Sequence, residues 1–202
     1  MHRFLDLFRK KKQENITVVS GLPRSGTSLM MKMLEAGGIP PLTDNEREAD
    51  EDNPKGYYEF ERVKKLPDGD TDWLDEARGK TVKIISALLP YLPESRNFRI
   101  IFMQRDIKEI LISQQKMLIR RGENLKQLDD RKLTELFSKH LNETEQWLQT
   151  HKHHLSCLNV NYNTLLNNSD AIVSEITSFL GNKLDTHAMR SVIDPSLYRN
   201  RV

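Results

Sequence analysis

At 202 residues, with 37% hydrophobic and 30% charged side chains, the chain can bury a full core without disulfide or metal staples. A net charge of +2 argues against a general nucleic-acid binder, whose electrostatic footprint is strongly basic. Cys157 stands alone, so no intramolecular disulfide forms; no apolar run is long enough for a membrane span and the N-terminus lacks a secretory apolar segment. The reading is a soluble, cytoplasmic protein.

Residues 1–14 alternate apolar and basic side chains and read as a basic tail, ahead of one domain over residues 15–202. Ile16 to Val19 is a β-branched run suited to a buried parallel strand. Gly21, Pro23, Ser25 and Gly26 then predict a tight turn, and from Thr27 apolar residues recur at helical spacing through Leu29, Met30, Met33 and Leu34. Strand, glycine-bounded loop and helix in this order make a phosphate-binding loop: backbone N–H groups converge on an anion, and the helix N-terminus adds partial positive charge.

The loop runs Gly21-x-x-x-x-Gly26-Thr27-Ser28, one residue away from a nucleotide-triphosphate loop. That pattern needs Lys after the second glycine, to reach the β- and γ-phosphates. Thr27 holds the lysine position, and the one cation of the loop, Arg24, lies in its middle. The cradle is kept while the triphosphate lysine is lost, which points to a different anion; the bland alternative is a Gly/Pro turn ahead of an ordinary core helix.

Gly37-Gly38 and Pro40-Pro41 end the first helix. Residues 43–56 are acidic and proline-bearing, a solvated loop or a lid over the site, and Tyr57 to about Leu66 is a new amphipathic segment that places Glu59 at a helix start. Strands are predicted at Thr81–Ile85, Arg99–Met103 and Leu158–Tyr162, a short element at Ala87–Leu92, and helices from Gln104-Arg105-Asp106 to about Arg121, over 130–150 and over 170–180. Alternation of strands with helices predicts an α/β fold, a three-layer sandwich around an open, mostly parallel sheet with ligands at the strands' C-terminal ends. Arg105 would then close a strand, with Ser113 two turns along the next helix, a pair able to hold a second phosphate.

Together these stretches resemble the sulfotransferases that use 3′-phosphoadenosine-5′-phosphosulfate (PAPS), with their P-loop-like nucleotide-binding fold. Leu22-Pro23-Arg24-Ser25-Gly26-Thr27-Ser28 matches the family's 5′-phosphosulfate loop, and Arg105 with Ser113 matches its 3′-phosphate pair. Asn159 to Leu166, followed by Phe179-Leu180-Gly181, is similar to its Val-x-Tyr-Glu-Asp-Leu segment and later Phe-Leu-Gly; Asn53 to Glu59 is similar to a segment of bacterial members. Asn163-Thr164 departs from the usual acidic pair, and no Arg-Lys-Gly occurs near the C-terminus, where Arg199 and Arg201 are the available substitutes. The chain is short for the family, so the acceptor pocket is small or completed by another subunit, as in a homodimer.

The resemblance implies an enzyme that moves a sulfuryl group from PAPS to a hydroxyl or amine of a small-molecule, glycan or peptide acceptor, with no metal. Pro23, Arg24, Ser25, Gly26, Thr27 and Ser28 would hold the 5′-phosphosulfate, Arg105 and Ser113 the 3′-phosphate, and Tyr162 the adenine. Catalytic candidates are Arg24 beside the leaving group, Glu59 as general base, and Lys83 on the sulfuryl oxygens. His151, His153 and His154 read as a solvated helix end rather than a metal site, and Trp73 and Trp147 as packing residues. Two other readings stand: a P-loop phosphotransferase or nucleotide triphosphatase with a degenerate loop, and a non-catalytic nucleotide-binding or interaction protein of the same fold.

Overall fold

The computed structural model describes residues 15–44, 58–120, 122, 129–181 and 183–194. The tail 1–14, most of the acidic loop, the segment Asn53 to Tyr57, and Arg199 and Arg201 lie outside the described residues.

β1 (Ile16–Gly21) is buried at every position, as its unbroken apolar and small-residue run requires. It feeds the loop and then α1 (Thr27–Ala36), which buries Met30, Met31, Met33 and Leu34. β2 (Thr81–Lys83) and β3 (Phe98–Gln104) pair with β1 on its two sides, and β4 (Leu155–Asn161) pairs with β3. The order β2-β1-β3-β4 is parallel throughout, with Val18 opposite Val82 and Ile100, and Gln104 opposite Asn161. The chain leaves β1 toward β2 and then returns to the other side for β3, so a crevice opens at the C-terminal ends of β1 and β3.

α2 (Ile107–Arg120), α3 (Asp130–Thr150), α4 (Tyr162–Asn167), α5 (Ser169–Leu180) and α6 (Thr186–Ser191) complete the helices. Alternate strand residues feed two cores. Val18, Val82, Ile100 and Phe102 pack with Trp73, Leu89 and Leu148 on one face. Val19, Ile101 and Met103 pack with Met30, Val173, Ile176 and Met189 on the other. This is the expected three-layer α/β sandwich.

Four details differ from the sequence reading. Glu59 lies in an irregular stretch before a 3₁₀ helix, Glu61–Asp68, rather than at the start of an α-helix, and Pro67 near its end does not support continued α-helix. β2 stops at Lys83, and Ser86–Tyr91 is a 3₁₀ helix holding Pro90. β4 begins at Leu155, and Tyr162 opens α4 instead of ending a strand, because the Asn161 side chain accepts from Thr164 N and caps the new helix. The histidines after α3 are not simply solvated: His154 is buried, and His153 and His151 face Glu94.

Candidate active site

The loop between β1 and α1 is held by backbone geometry. Arg24 has φ +71° and Gly26 φ +102°, so two residues within three positions sit in the left-handed region. Gly26 has a second reason to lack a side chain: a Cβ there would lie 2.4 Å from Cδ2 of Tyr162. The Tyr162 ring thus packs directly on the loop backbone, with Ser25 N donating to Leu22 O (3.2 Å) and Met30 N to Gly26 O (3.1 Å) behind it. Thr27 and Ser28 are the first two residues of α1, at the positive end of the helix dipole.

Arg105 directly follows β3 and binds the loop. Its Nη1 donates to the Arg24 carbonyl at 3.1 Å, and its guanidinium lies 4.5 Å from the Tyr162 ring centroid. Its Nε donates to Glu109 Oε2 at 2.8 Å, in a pair whose side chains are 7% and 3% exposed. Asn163 donates from Nδ2 to the other Glu109 oxygen at 3.1 Å. Arg24 in turn donates from Nε to Ser113 Oγ at 3.0 Å. Burial raises the Tyr162 phenol above its ordinary range, against the opposing pull of Arg105.

Six of the residues singled out in the sequence therefore meet: Arg24, Ser25, Gly26, Arg105, Ser113 and Tyr162. Glu59 and Lys83 form a separate pair at the end of β2, on the other side of β1, with Lys83 Nζ 3.9 Å from Glu59 Oε1. The Lys83 side chain is only 10% exposed, which explains its need of an acidic neighbour. The Glu59 carbonyl accepts from Thr43 Oγ1 at 2.7 Å, and Glu61 N donates to Asp44 Oδ2 at 2.6 Å, so the chain on either side of the acidic loop is tied together at its base. Tyr58 donates to Glu35 Oε2 of α1 at 2.6 Å; burial, then that hydrogen bond, push its phenol well up.

Glu109 is the residue that sequence reading missed. Its signal was present as the i,i+4 spacing from Arg105. It also accounts for the departure at Asn163: beside a buried carboxylate already there, an amide that donates fits where a second acid would repel. Among the described residues no group of three or more His, Cys, Asp or Glu could hold a metal ion, and no helix is long and apolar enough to cross a membrane.

A glycine-bearing loop between a parallel strand and a helix N-terminus, with Arg24 in the loop and Arg105 just past the neighbouring strand, is the P-loop-like arrangement of an α/β protein. The sulfotransferase-domain family model matches residues 14–200, and the chain belongs to the sulfotransferase family. Among solved structures, the sulfotransferase domain from the Synechococcus PCC 7002 olefin synthase is similar at TM-score 0.55 and 16% identity, over 96% of this chain and 91% of that one. A structure of retinol dehydratase in complex with androsterone and inactive cofactor PAP gives TM-score 0.49 and 17% identity, over 91% of this chain and 64% of that one. No curated protein matches the sequence.

Proposed function

We propose that the chain transfers a sulfuryl group from PAPS to a hydroxyl or amine. The observation that carries this is the meeting of Arg24, Arg105 and Ser113 in one hydrogen-bonded array, although Arg24 and Arg105 are 81 residues apart in sequence. A donor with a phosphate at each end of a nucleoside needs two anion sites a ribose apart, and a single triphosphate loop would need only one. The cradle fits such a group: Gly26 lets Tyr162 and the loop backbone close together at the N-terminus of α1, where an anion at the 5′ end is favoured.

PAPS supplies an activated sulfuryl group on a phosphate leaving group. Each other part of the task falls to this chain. Arg24 carries a fixed fork for the oxygens around the leaving group, and Ser25, Thr27 and Ser28 add hydroxyls to the backbone cradle around Pro23. Arg105 and Ser113 hold the 3′-phosphate, and Tyr162 offers the adenosine an aromatic face. Glu59 takes the acceptor's proton, with Lys83 Nζ 3.9 Å from its carboxylate. In this reading Lys83 also meets the sulfuryl oxygens.

Thermal unfolding with adenosine 3′,5′-bisphosphate tests the donor site, because a ligand that binds the native state must stabilise it. A rise in Tm that Arg105→Ala removes is the expected result. Stabilisation by ATP with Mg²⁺ at lower concentration than by the bisphosphate would overturn the proposal in favour of a triphosphate enzyme.

A further inference from the structure

A cavity of about 500 Å³ lies between β3, β4, α2 and α3, and apart from Ser25 and Arg105 at its inner end no residue of the donor reading lines it. Phe102, Ile110, Leu141, Leu148 and Leu155 give it one apolar wall, and Gln104, Gln149, Ser156 and Asn159 add polar groups. Glu145 and Lys152 also line it, one charge of each sign, together with Arg105, which is paired with Glu109. The cavity reaches Ser25 and Arg105, but from the face of the sheet opposite Tyr162: Phe102, Leu148 and Leu155 belong to the core on the α3 side, and Tyr162 to the core on the α1 side.

Two further observations point to a ligand. Ser25 is 1% exposed, yet its Oγ has no hydrogen-bond partner among the described residues. A buried hydroxyl left without a partner is costly, and a bound head group would recover that cost. The Cys157 thiol in the cavity wall is accessible to solvent but desolvation pushes it up to about 11, the combination expected of a group inside an apolar crevice.

We propose that this cavity is a second small-molecule site, for a neutral, apolar-bodied molecule with one hydrogen-bond-donating head group, a hydroxyl or amine, directed at Ser25 Oγ. Its size falls in the range of about 300–1,000 Å³ typical of small-ligand pockets, and apolar walls with a few convergent polar groups are their usual lining. A serine hydroxyl has one proton to give and two lone pairs. Ser25 can therefore donate toward a phosphate in the loop and accept from the cavity ligand at once, so the two ligands bind together. Only that last step rests on the donor reading.

N-phenyl-1-naphthylamine, a neutral fluorescent amine, is a suitable probe. Titrated into the full chain without nucleotide, it should give a saturable enhancement and slow the alkylation of Cys157 by N-ethylmaleimide. Asn159→Trp on β4 and Gln149→Trp on α3, both at exposed wall positions, should each weaken the probe by about tenfold or more by filling the space. Both should keep the wild-type Tm. Adenosine 3′,5′-bisphosphate should leave the probe bound. The proposal is overturned by the lack of saturable enhancement, by probe binding that neither tryptophan alters, or by displacement of the probe by the bisphosphate. If the bisphosphate does not bind at all, the donor reading fails while the nucleotide-free titration still decides the cavity.

Discussion

Replacing Glu109 with glutamine separates the charge of the buried pair from its shape. Glu109 and Arg105 meet at 2.8 Å with 3% and 7% of their side chains exposed, so neither group can turn to water when the other is lost. Glutamine keeps an oxygen for Asn163 but removes the carboxylate charge that faces the guanidinium. Breaking a buried pair from one side costs about 3–5 kcal/mol, and the retained hydrogen bond puts this variant near the lower figure. In a domain of this size each kcal/mol lowers Tm by about 2–4 °C, so Glu109→Gln should melt roughly 6–12 °C below wild type. Adenosine 3′,5′-bisphosphate would return an anion to Arg105, and its stabilising shift should be larger in the variant than in wild type. Differential scanning fluorimetry with and without the ligand reads both quantities. Arg105→Ala and the double variant complete the cycle, and the double should be less destabilised than the two singles summed. The reasoning is refuted if Glu109→Gln melts with wild type, if the singles add, or if the variant no longer responds to the ligand.

Gly26→Ala places a methyl 2.4 Å from the Tyr162 ring at φ +102°, and should cost about 1–3 kcal/mol while abolishing the bisphosphate shift. Urea unfolding checks the first effect and calorimetric titration the second; adding Tyr162→Ala should recover only the part due to the clash. Glu59→Gln should lower turnover by about 10²–10⁴-fold, with bisphosphate affinity unchanged. Sulfur-labelled PAPS turned over against a panel of phenols, alcohols and amines measures this, and a loss of nucleotide affinity would remove Glu59 from the role of base. Burial holds His154 below the ordinary histidine value of 6.5, with His153 and His151 pushing the same way and Glu94 opposing. The unfolded chain therefore takes up that proton first, so the stability His154 contributes is complete above about pH 6.5 and lost as pH falls through and below it. His154→Leu should flatten that acid limb in urea midpoints from about pH 8 to pH 5.

The loop and its flanking elements were readable because their signals are local. Gly21, Gly26 and the run from Leu29 to Leu34 act within a few residues of themselves, and the helix over 130–150 is set by its own periodicity and the Asp129 cap. The start of β4 was not local: Leu155 to Cys157 are strand because they pair with Phe98 to Ile100. Tyr162 was misplaced for a different reason. Asn161 followed three residues later by Thr164 is a usable cap signal, but the apolar alternation before it also favours strand, and only the structure decides between them. The pairing of Glu59 with Lys83 spans 24 positions through an irregular stretch, where no periodicity records it. Six candidate site residues were legible as motifs; of what holds Arg105 in place, only the i,i+4 spacing of Glu109 was written in the sequence, and Asn163 acts through a contact 54 residues away.

The hydrogen bond from Arg105 to the Arg24 carbonyl has a consequence for how the site comes into being. The loop looks like a local turn, but its shape is completed by a side chain 81 residues further along. Until β3 lies beside β1, the carbonyl has no donor and the Arg24 backbone has nothing to hold it at a positive φ. Closing that long interval is slow and cooperative, so the cradle appears with the finished sheet and not before it. If the chain binds the donor as proposed, a nascent or partly unfolded chain would not capture nucleotide, and donor binding would report the integrity of the whole central sheet.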